Sequence, residues 1–185
     1  MAADNETEDL ARRAATGDSA ALDTLLVRIQ PVVLRHCLHV LPCREDAEEA
    51  CQDALLQVAR AITGFEWRSR FTTWLHAVTA NCARQTYRSL KRRAAERAEA
   101  SVPADAPDPR TTSVIAGSRL DLLDALERLE GHRPELVPAI VLRDICQLDY
   151  DDIATHLGVP VGTVKSRIHH ARVHVRRSLA VDPPL

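Results

Sequence analysis

The stretch from Asp152 to Arg172 restricts the fold of this chain more than any other. Asp152-Ile-Ala-Thr-His-Leu-Gly-Val-Pro160 runs into Val161-Gly-Thr-Val-Lys-Ser-Arg-Ile-His-His-Ala-Arg172, and the pair reads as two helices around a tight turn. In the second helix Val164, Ile168, Ala171 and Val175 recur at helical spacing and form one apolar stripe. Small Ala154 lets the helices approach, Gly158 permits the turn, and Val164 closes the corner. Lys165, Arg167, His169, Arg172 and Arg176 lie off the stripe, and no acid interrupts them through Arg177. A short helix that buries one stripe and presents a basic, hydroxyl- and imidazole-bearing face suits the major groove of DNA. A merely solvated charged face would not need the Ala–Gly–Val spacing. A helix-turn-helix is therefore expected.

The remainder of the chain points to helices as well. Aromatics make up only 3% of the 185 residues while alanine and leucine dominate the 45% apolar fraction, a bias toward helix over sheet. The length allows one or two small domains. A net charge of −2 hides strong segregation. Acids cluster at Asp4 to Asp9 and at Glu45 to Asp53, and bases at Arg84 to Arg97 and at Lys165 to Arg177. Such blocks suggest one surface for nucleic acid and another for a different partner. No apolar run approaches the roughly 20 residues of a membrane span. The N-terminus is acidic and lacks a signal-peptide core, so a cytoplasmic protein without a membrane span is expected. Five cysteines without framework spacing fit a reducing compartment.

The expected fold is all-α: two small helical domains joined by a flexible linker, the C-terminal one a four-helix helix-turn-helix domain. Residues 1–17 read as an acidic segment with a short helix over Asp9 to Thr16, stopped by Gly17-Asp18. Residues 18–97 read as the first domain. Asp18 or Ser19 can cap a helix with Leu22, Leu25, Leu26, Ile29, Val33 and Leu34 inside, and Pro31 should kink or divide it. The next helix starts at Asp46 with Ala47, Ala50, Cys51, Ala54, Leu55, Val58 and Ile62 on its stripe and Asp46, Glu49, Gln52, Asp53 and Gln57 outside it. Acids in a first turn favour the helix dipole, but this many exceed what capping needs, so the outer face is expected to bind a protein. Thr63-Gly64 ends the helix, and Phe65, Trp67, Phe71 and Trp74 follow, interleaved with Arg68, Ser69, Arg70, Thr72 and Thr73. Rings to hold unstacked bases, cations for phosphates and hydroxyls for base edges are what single-stranded DNA requires. For Phe71 and Trp74, packing beneath Leu75 and Val78 is an equal alternative.

A helical pattern from Trp74 to Arg97 aligns Asn81, Arg84, Gln85 and Arg88 on one face, extended by Lys91, Arg92 and Arg93. Residues 98–117 read as the linker, with Pro103, Pro107 and Pro109 and little apolar content. Residues 118–180 read as the second domain: Arg119 to Leu129, Pro134 to Gln147, Tyr150 to Leu157 and Val161 to Leu179.

Side by side, these segments resemble bacterial sigma factors of the extracytoplasmic-function (ECF) group, a resemblance that spans Asp18 to Leu179. Asp46-Ala-Glu-Glu-Ala-Cys-Gln-Asp53 resembles that family's core-polymerase-binding helix, and Phe71-Thr-Thr-Trp-Leu75 with Asn81 and Arg88 its −10-element region. Leu142-Arg-Asp144, Asp151-Asp-Ile-Ala154 and Gly162-Thr-Val-Lys-Ser-Arg167 resemble its −35-reading domain. The resemblance implies a non-enzymatic factor that binds RNA polymerase core, directs it to promoters and helps open the −10 region. Asp46, Glu49, Gln52 and Asp53 would contact the clamp of the largest subunit, and the C-terminal domain the β flap. Phe65, Ser69, Phe71, Thr72, Trp74 and Asn81 would hold a flipped −10 base, with Arg84 and Arg88 on the backbone. Thr163, Lys165, Ser166, His169 and His170 would read the −35 element, and Arg167 and Arg172 would lie nearer phosphates or intramolecular partners. The linker would thread toward the RNA exit path, and a separate anti-sigma protein would supply regulation. No cofactor, metal or small-molecule substrate is expected. Trp67, Gln85 and His170 depart from the family, which often has a small residue, Asp and Arg there.

Competing readings come from other classes. A stand-alone repressor or activator would share the helix-turn-helix but would have no use for a single-strand pocket. A metal or redox site would draw on His36, Cys37, His39, Cys43 and Cys51, yet no paired C-x-x-C exists and buried cysteine as filler is commoner. An enzymatic cluster of Asp149, Asp151, Asp152 and His156 sits where capping and dipole effects already call for acids.

Overall fold

The computed structural model describes residues 2–100 and 114–180, with side chains described over 5–97 and 118–180. Among the described residues there are helices and turns and no strand. Four helices form the N-terminal half: α1 (Ala2–Ala15), α2 (Ser19–Val40), α3 (Arg44–Ala61) and α4 (Phe71–Ala100). The C-terminal half holds α5 (Val114–His132), the short α6 (Val137–Ile140), α7 (Tyr150–Leu157) and α8 (Val161–Ala180).

Asp18 caps α2, its carboxylate accepting from the Ala21 N–H at 2.9 Å and from Arg13 at 2.7 Å. Pro31 neither divides α2 nor ends it. Its ring is exposed, on the side away from the core, while Leu25, Ile29, Val33 and Cys37 hold the inner face in the core. The first helix is longer than the expected Asp9 to Thr16, and its Ala11 and Ala14 are packed into the N-terminal core with Ile62, Phe71 and Leu75.

α4 begins at Phe71 rather than Trp74, because Glu8 of α1 caps it. The Glu8 carboxylate accepts from the N–H groups of Phe71 at 3.1 Å and Thr72 at 3.2 Å, and from the Thr72 hydroxyl at 3.3 Å. Both helices flanking the linker intrude on the expected 98–117 span, α4 reaching Ala100 and α5 starting at Val114. The proline-rich stretch 101–113 lies outside the described residues.

The expected Pro134 to Gln147 helix is a composite. A 3-10 turn (Pro134–Leu136) leads into α6, and a π segment (Val141–Ile145) follows. Leu136, Val137, Ile140 and Val141 are nonetheless buried in one cluster, and Leu142 in the next.

The two halves touch. Leu123 of α5, 3% exposed, belongs to the N-terminal core, with Leu120 packed beside it. In return Ala80 of α4 lies within the cluster formed by Leu126, Leu129, Ile140 and Val175. Each half thus contributes a buried side chain to an apolar cluster of the other.

Candidate nucleic-acid interface

The turn between α7 and α8 forms as its residue pattern demands. Gly158 adopts φ +64°, a left-handed conformation that costs other residues strain. The Val159 N–H reaches the Ala154 carbonyl at 3.1 Å and the Gly158 N–H reaches that of Thr155 at 3.4 Å, closing a Schellman cap. Pro160 then accepts from the N–H groups of Thr163 and Val164 and starts α8. Val164, Ile168, Ala171 and Val175 are buried, so the opposite side of α8 faces solvent.

On that side Lys165, Ser166, His169 and His170 are exposed, while Thr163 and Arg167 are half-buried. Arg172 is engaged within the domain, its guanidinium forked onto Asp144 at 2.6 and 2.9 Å. Of the two placements expected for it, the intramolecular one is observed, a planar bidentate match. Sequence reading did not single out Tyr150. The Arg143 guanidinium lies 4.6 Å from its ring centroid and the Lys165 ammonium 5.6 Å, so the ring links the start of α7 to Lys165 of α8.

The aromatic cluster of the N-terminal half is centred on Phe65, whose ring centroid lies 4.8 Å from Trp67, 5.0 Å from Trp74 and 6.4 Å from Phe71. Phe65, Trp67 and Trp74 are half-buried. Phe71 corrects the expectation of base contact: at 0% exposure it is enclosed in the core, and its ring supports Trp74 from 5.7 Å. Trp67 departs from the family's small residue and also takes a positive φ of 57°, with the Arg12 guanidinium of α1 4.7 Å above its ring.

The hydroxyls and cations expected beside these rings already have partners. Ser69 bonds His156 of α7 at 3.1 Å, and Thr72 bonds Glu8. Asn81 is exposed and accepts from Arg84 at 3.4 Å. Arg84, 9% exposed, and Arg88 both pair with Glu130 of α5. One turn on, Tyr87 donates to Asp124 at 2.8 Å, and Lys91 reaches Asp124 at 2.7 Å and Glu127 at 2.8 Å. Burial works against the charge of Asp124, but the hydrogen bonds from Lys91 and Tyr87 outweigh it and hold its pKa below the ordinary value. Hydrogen bonds to Asp124 and Glu127 raise that of Lys91. Sequence reading missed Glu8, Asp124 and Glu130, because an acid in a helical pattern carries no sign of a partner dozens of residues away.

α3 presents Glu49, Gln52 and Asp53 to solvent, with Asp46 half-buried at the start. Burial pushes the Asp46 carboxyl upward. Arg93 of α4 comes within 3.9 Å of Glu49, and Glu49, Gln52 and Asp53 stay exposed. His36 does not pair with Cys43. Its ring stacks on that of His76 at 4.6 Å, and Cys43 instead bonds Glu45. No group of three or more His, Cys, Asp or Glu is arranged to hold a metal among the described residues.

Fold and faces together define a two-domain helical protein with a helix-turn-helix in one half and an aromatic cluster beside a basic helix in the other. Residues 25–93 match sigma-70 region 2, and residues 119–175 match sigma-70 region 4. The chain belongs to the sigma-70 family of RNA polymerase sigma factors, in its ECF group. It is similar to the ECF RNA polymerase sigma factor SigE of Mycolicibacterium smegmatis, 37% identical over 90% of this chain, and spans 65% of that relative's length. It is also similar to the RNA polymerase sigma-H factor of Pseudomonas aeruginosa, 28% identical over 97% of this chain and 96% of that one. A solved structure of CnrH in complex with the cytosolic domain of CnrY shares the fold, with a TM-score of 0.56 at 21% identity over 96% of this chain and 99% of that one.

Proposed function

We propose that this chain docks on RNA polymerase core through α3 and grips a promoter at two points, one with each half. Asp46, Glu49, Gln52 and Asp53 meet the clamp of the largest subunit. Phe65, Trp74 and Asn81 receive a base flipped from the −10 strand on a floor made by Phe71, with Ser69 and Thr72 at its edge and Arg84 and Arg88 on phosphates. Lys165, Ser166, His169 and His170 read the −35 element, and Thr163 and Arg167 contact its backbone. In this scheme Arg172 orients α8 through Asp144. The domain bounds that go with this division are 18–97 and 118–180, and the stretch between them spans the distance from one DNA contact to the other.

The observation that carries the reading is one of placement. The aromatic and acidic sets fall within the region 2 match, and the helix-turn-helix face falls within the region 4 match. A stand-alone repressor needs only the second. A cavity of about 340 Å³ on the C-terminal half, walled by Leu122, Leu126, Ile140, Ile145 and Val175, supports docking of an apolar element of the polymerase β flap. No helix among the described residues is long and apolar enough to cross a membrane. CnrH was solved with the cytosolic domain of another protein, and by analogy a separate anti-sigma protein holds this factor inactive. It is an initiation factor rather than an enzyme.

Run-off transcription with purified core tests the scheme. Lys165→Ala should lower promoter-specific transcript about tenfold, the worth of one good base contact, and leave core affinity unchanged. Gln52→Ala with Asp53→Ala should weaken core binding instead. Equal loss of core affinity in both variants would refute the division, and tight duplex binding without polymerase would favour the repressor.

A further inference from the structure

We infer that α1 shapes the −10 pocket indirectly, Glu8 fixing the end of the aromatic loop and Arg12 its middle. The loop from Phe65 to Arg70 has no regular secondary structure. Its Trp67 sits at φ +57°, a left-handed conformation that a bulky side chain keeps only where its surroundings enforce it. Two contacts do so here. The Arg12 guanidinium lies over the Trp67 ring, 4.7 Å from its centroid, and the Phe65 ring meets it at 4.8 Å and 59°. At the end of the loop the Glu8 carboxylate accepts from the Phe71 and Thr72 N–H groups and the Thr72 hydroxyl, with the Arg70 guanidinium 3.9 Å away. Glu8 and Arg12 are one helical turn apart, so one flank of α1 meets both points.

The helix is mounted firmly enough to serve as a template. Ala11 and Ala14 are buried in the core with Ile62 and Phe71. Arg13 pairs with Asp18 at 2.7 Å, and Arg28 of α2 pairs with Glu6 at 2.6 Å. With Arg12 over its ring and Phe65 against it, Trp67 is placed to set the loop rather than to stack on a base. Phe65 packs on both Trp67 and Trp74, so a shift of Trp67 moves the ring on which the pocket is centred. The small residue frequent in the family at this position would offer Arg12 no ring, so the contact belongs to chains with an aromatic there. Arg12 and Glu8 are therefore positioning residues that act through the loop. The inference rests on the −10 reading proposed above.

The test uses the full chain assembled with purified core on a promoter that wild type transcribes. Arg12→Gln should lower run-off transcript about threefold, the scale of one exposed cation–π contact, and leave core affinity unchanged. Arg12→Lys, which keeps a cation over the ring, should restore most of it. Glu8→Ala, assayed well below its melting temperature, should lower transcript about fivefold, the worth of a cap. In a Trp67→Ala chain, adding Arg12→Gln should cost nothing further, because the residue it acts through is gone. Arg13→Gln removes the same charge from the next position but breaks the pair with Asp18 instead, and should leave transcript at the wild-type level. A spectroscopic arm needs no polymerase. With Trp74→Phe, Trp67 is the one tryptophan left, and Arg12→Gln should red-shift its emission and raise its quenching by acrylamide. Full transcript from Arg12→Gln or Glu8→Ala, an equal loss with Arg13→Gln, additive losses from Arg12→Gln and Trp67→Ala, or an emission indifferent to Arg12 would overturn the proposal. Absence of any wild-type transcript would instead count against the −10 reading, and the emission of Trp67 would still report whether α1 holds the loop.

Discussion

His36 and His76 are the residues whose pairing most affects how the N-terminal half responds to acid. Their rings stack, and the two Nδ1 atoms are 3.1 Å apart, a distance that suits one donor and one acceptor between neutral rings. Burial first, then the neighbouring His36, pulls the pKa of His76 down to about 4. Burial, with Arg35 and His39, lowers that of His36. Each folded-state value lies below the ordinary one, so the unfolded chain takes up the proton first as pH falls. The stability these histidines preserve is complete above about pH 6.5 and is lost progressively toward pH 4. Thermal melts should accordingly show a loss on the order of 1 kcal/mol between pH 7.5 and pH 5, a window in which ordinary carboxylates stay ionised. His76→Leu should flatten that dependence; a slope left unchanged would show that other groups carry it. Spacing placed His36 one turn from His39 and suggested a shared ligand, whereas the true partner lies 40 positions away on another helix. Phe71 teaches the same lesson from the other side. Its residue type fits base stacking and core packing equally, and only its enclosure decides for the core.

At the scale of elements, apolar periodicity was a good guide to which segments are helical and a poor one to where they end. The stripes of α2, α3 and α8 were readable because a helix on a core must bury every third or fourth residue. The start of α4 was not, because its cap comes from a different helix. Glu8 takes the place of a local N-cap side chain, satisfying the Phe71 and Thr72 N–H groups and setting negative charge at the positive end of the dipole. Glu8→Ala should cost about 1 kcal/mol in urea unfolding, the typical worth of a cap. Glu8→Gln, which keeps one acceptor, should cost less; equal costs for the two would mean that charge rather than hydrogen bonding matters. The same cap bears on the proposed −10 pocket, since it fixes where Thr72 and Trp74 sit relative to Phe65. The break from α into π geometry at Val141–Ile145 has no counterpart in the pattern, which places Leu142 and Ile145 as a regular helix would.

At the scale of the whole molecule, the opposing charge blocks that first suggested two separate partners also serve each other. The basic run of α4 was legible as a nucleic-acid face, but the acids that cover it are scattered among the leucines of α5 and form no block in the sequence. Leu123 shows how far the halves are joined, since it projects from the second domain and is buried in the core of the first. A residue so placed must link the stability of one domain to that of the other. Calorimetry of the full chain should therefore show a single unfolding transition, as expected of one cooperative body. Leu123→Ala should remove about 2–5 kcal/mol, the cost of truncating a buried leucine. Because that loss falls where the halves meet, the transition should split in two, with the N-terminal half melting first. If the variant instead melts lower but still as one, the apolar contact is not what couples the halves, and the ion pairs between α4 and α5 hold them together by themselves. The two outcomes differ in salt as well: halves joined by charge alone should separate as ionic strength rises, whereas halves joined by Leu120 and Leu123 should resist.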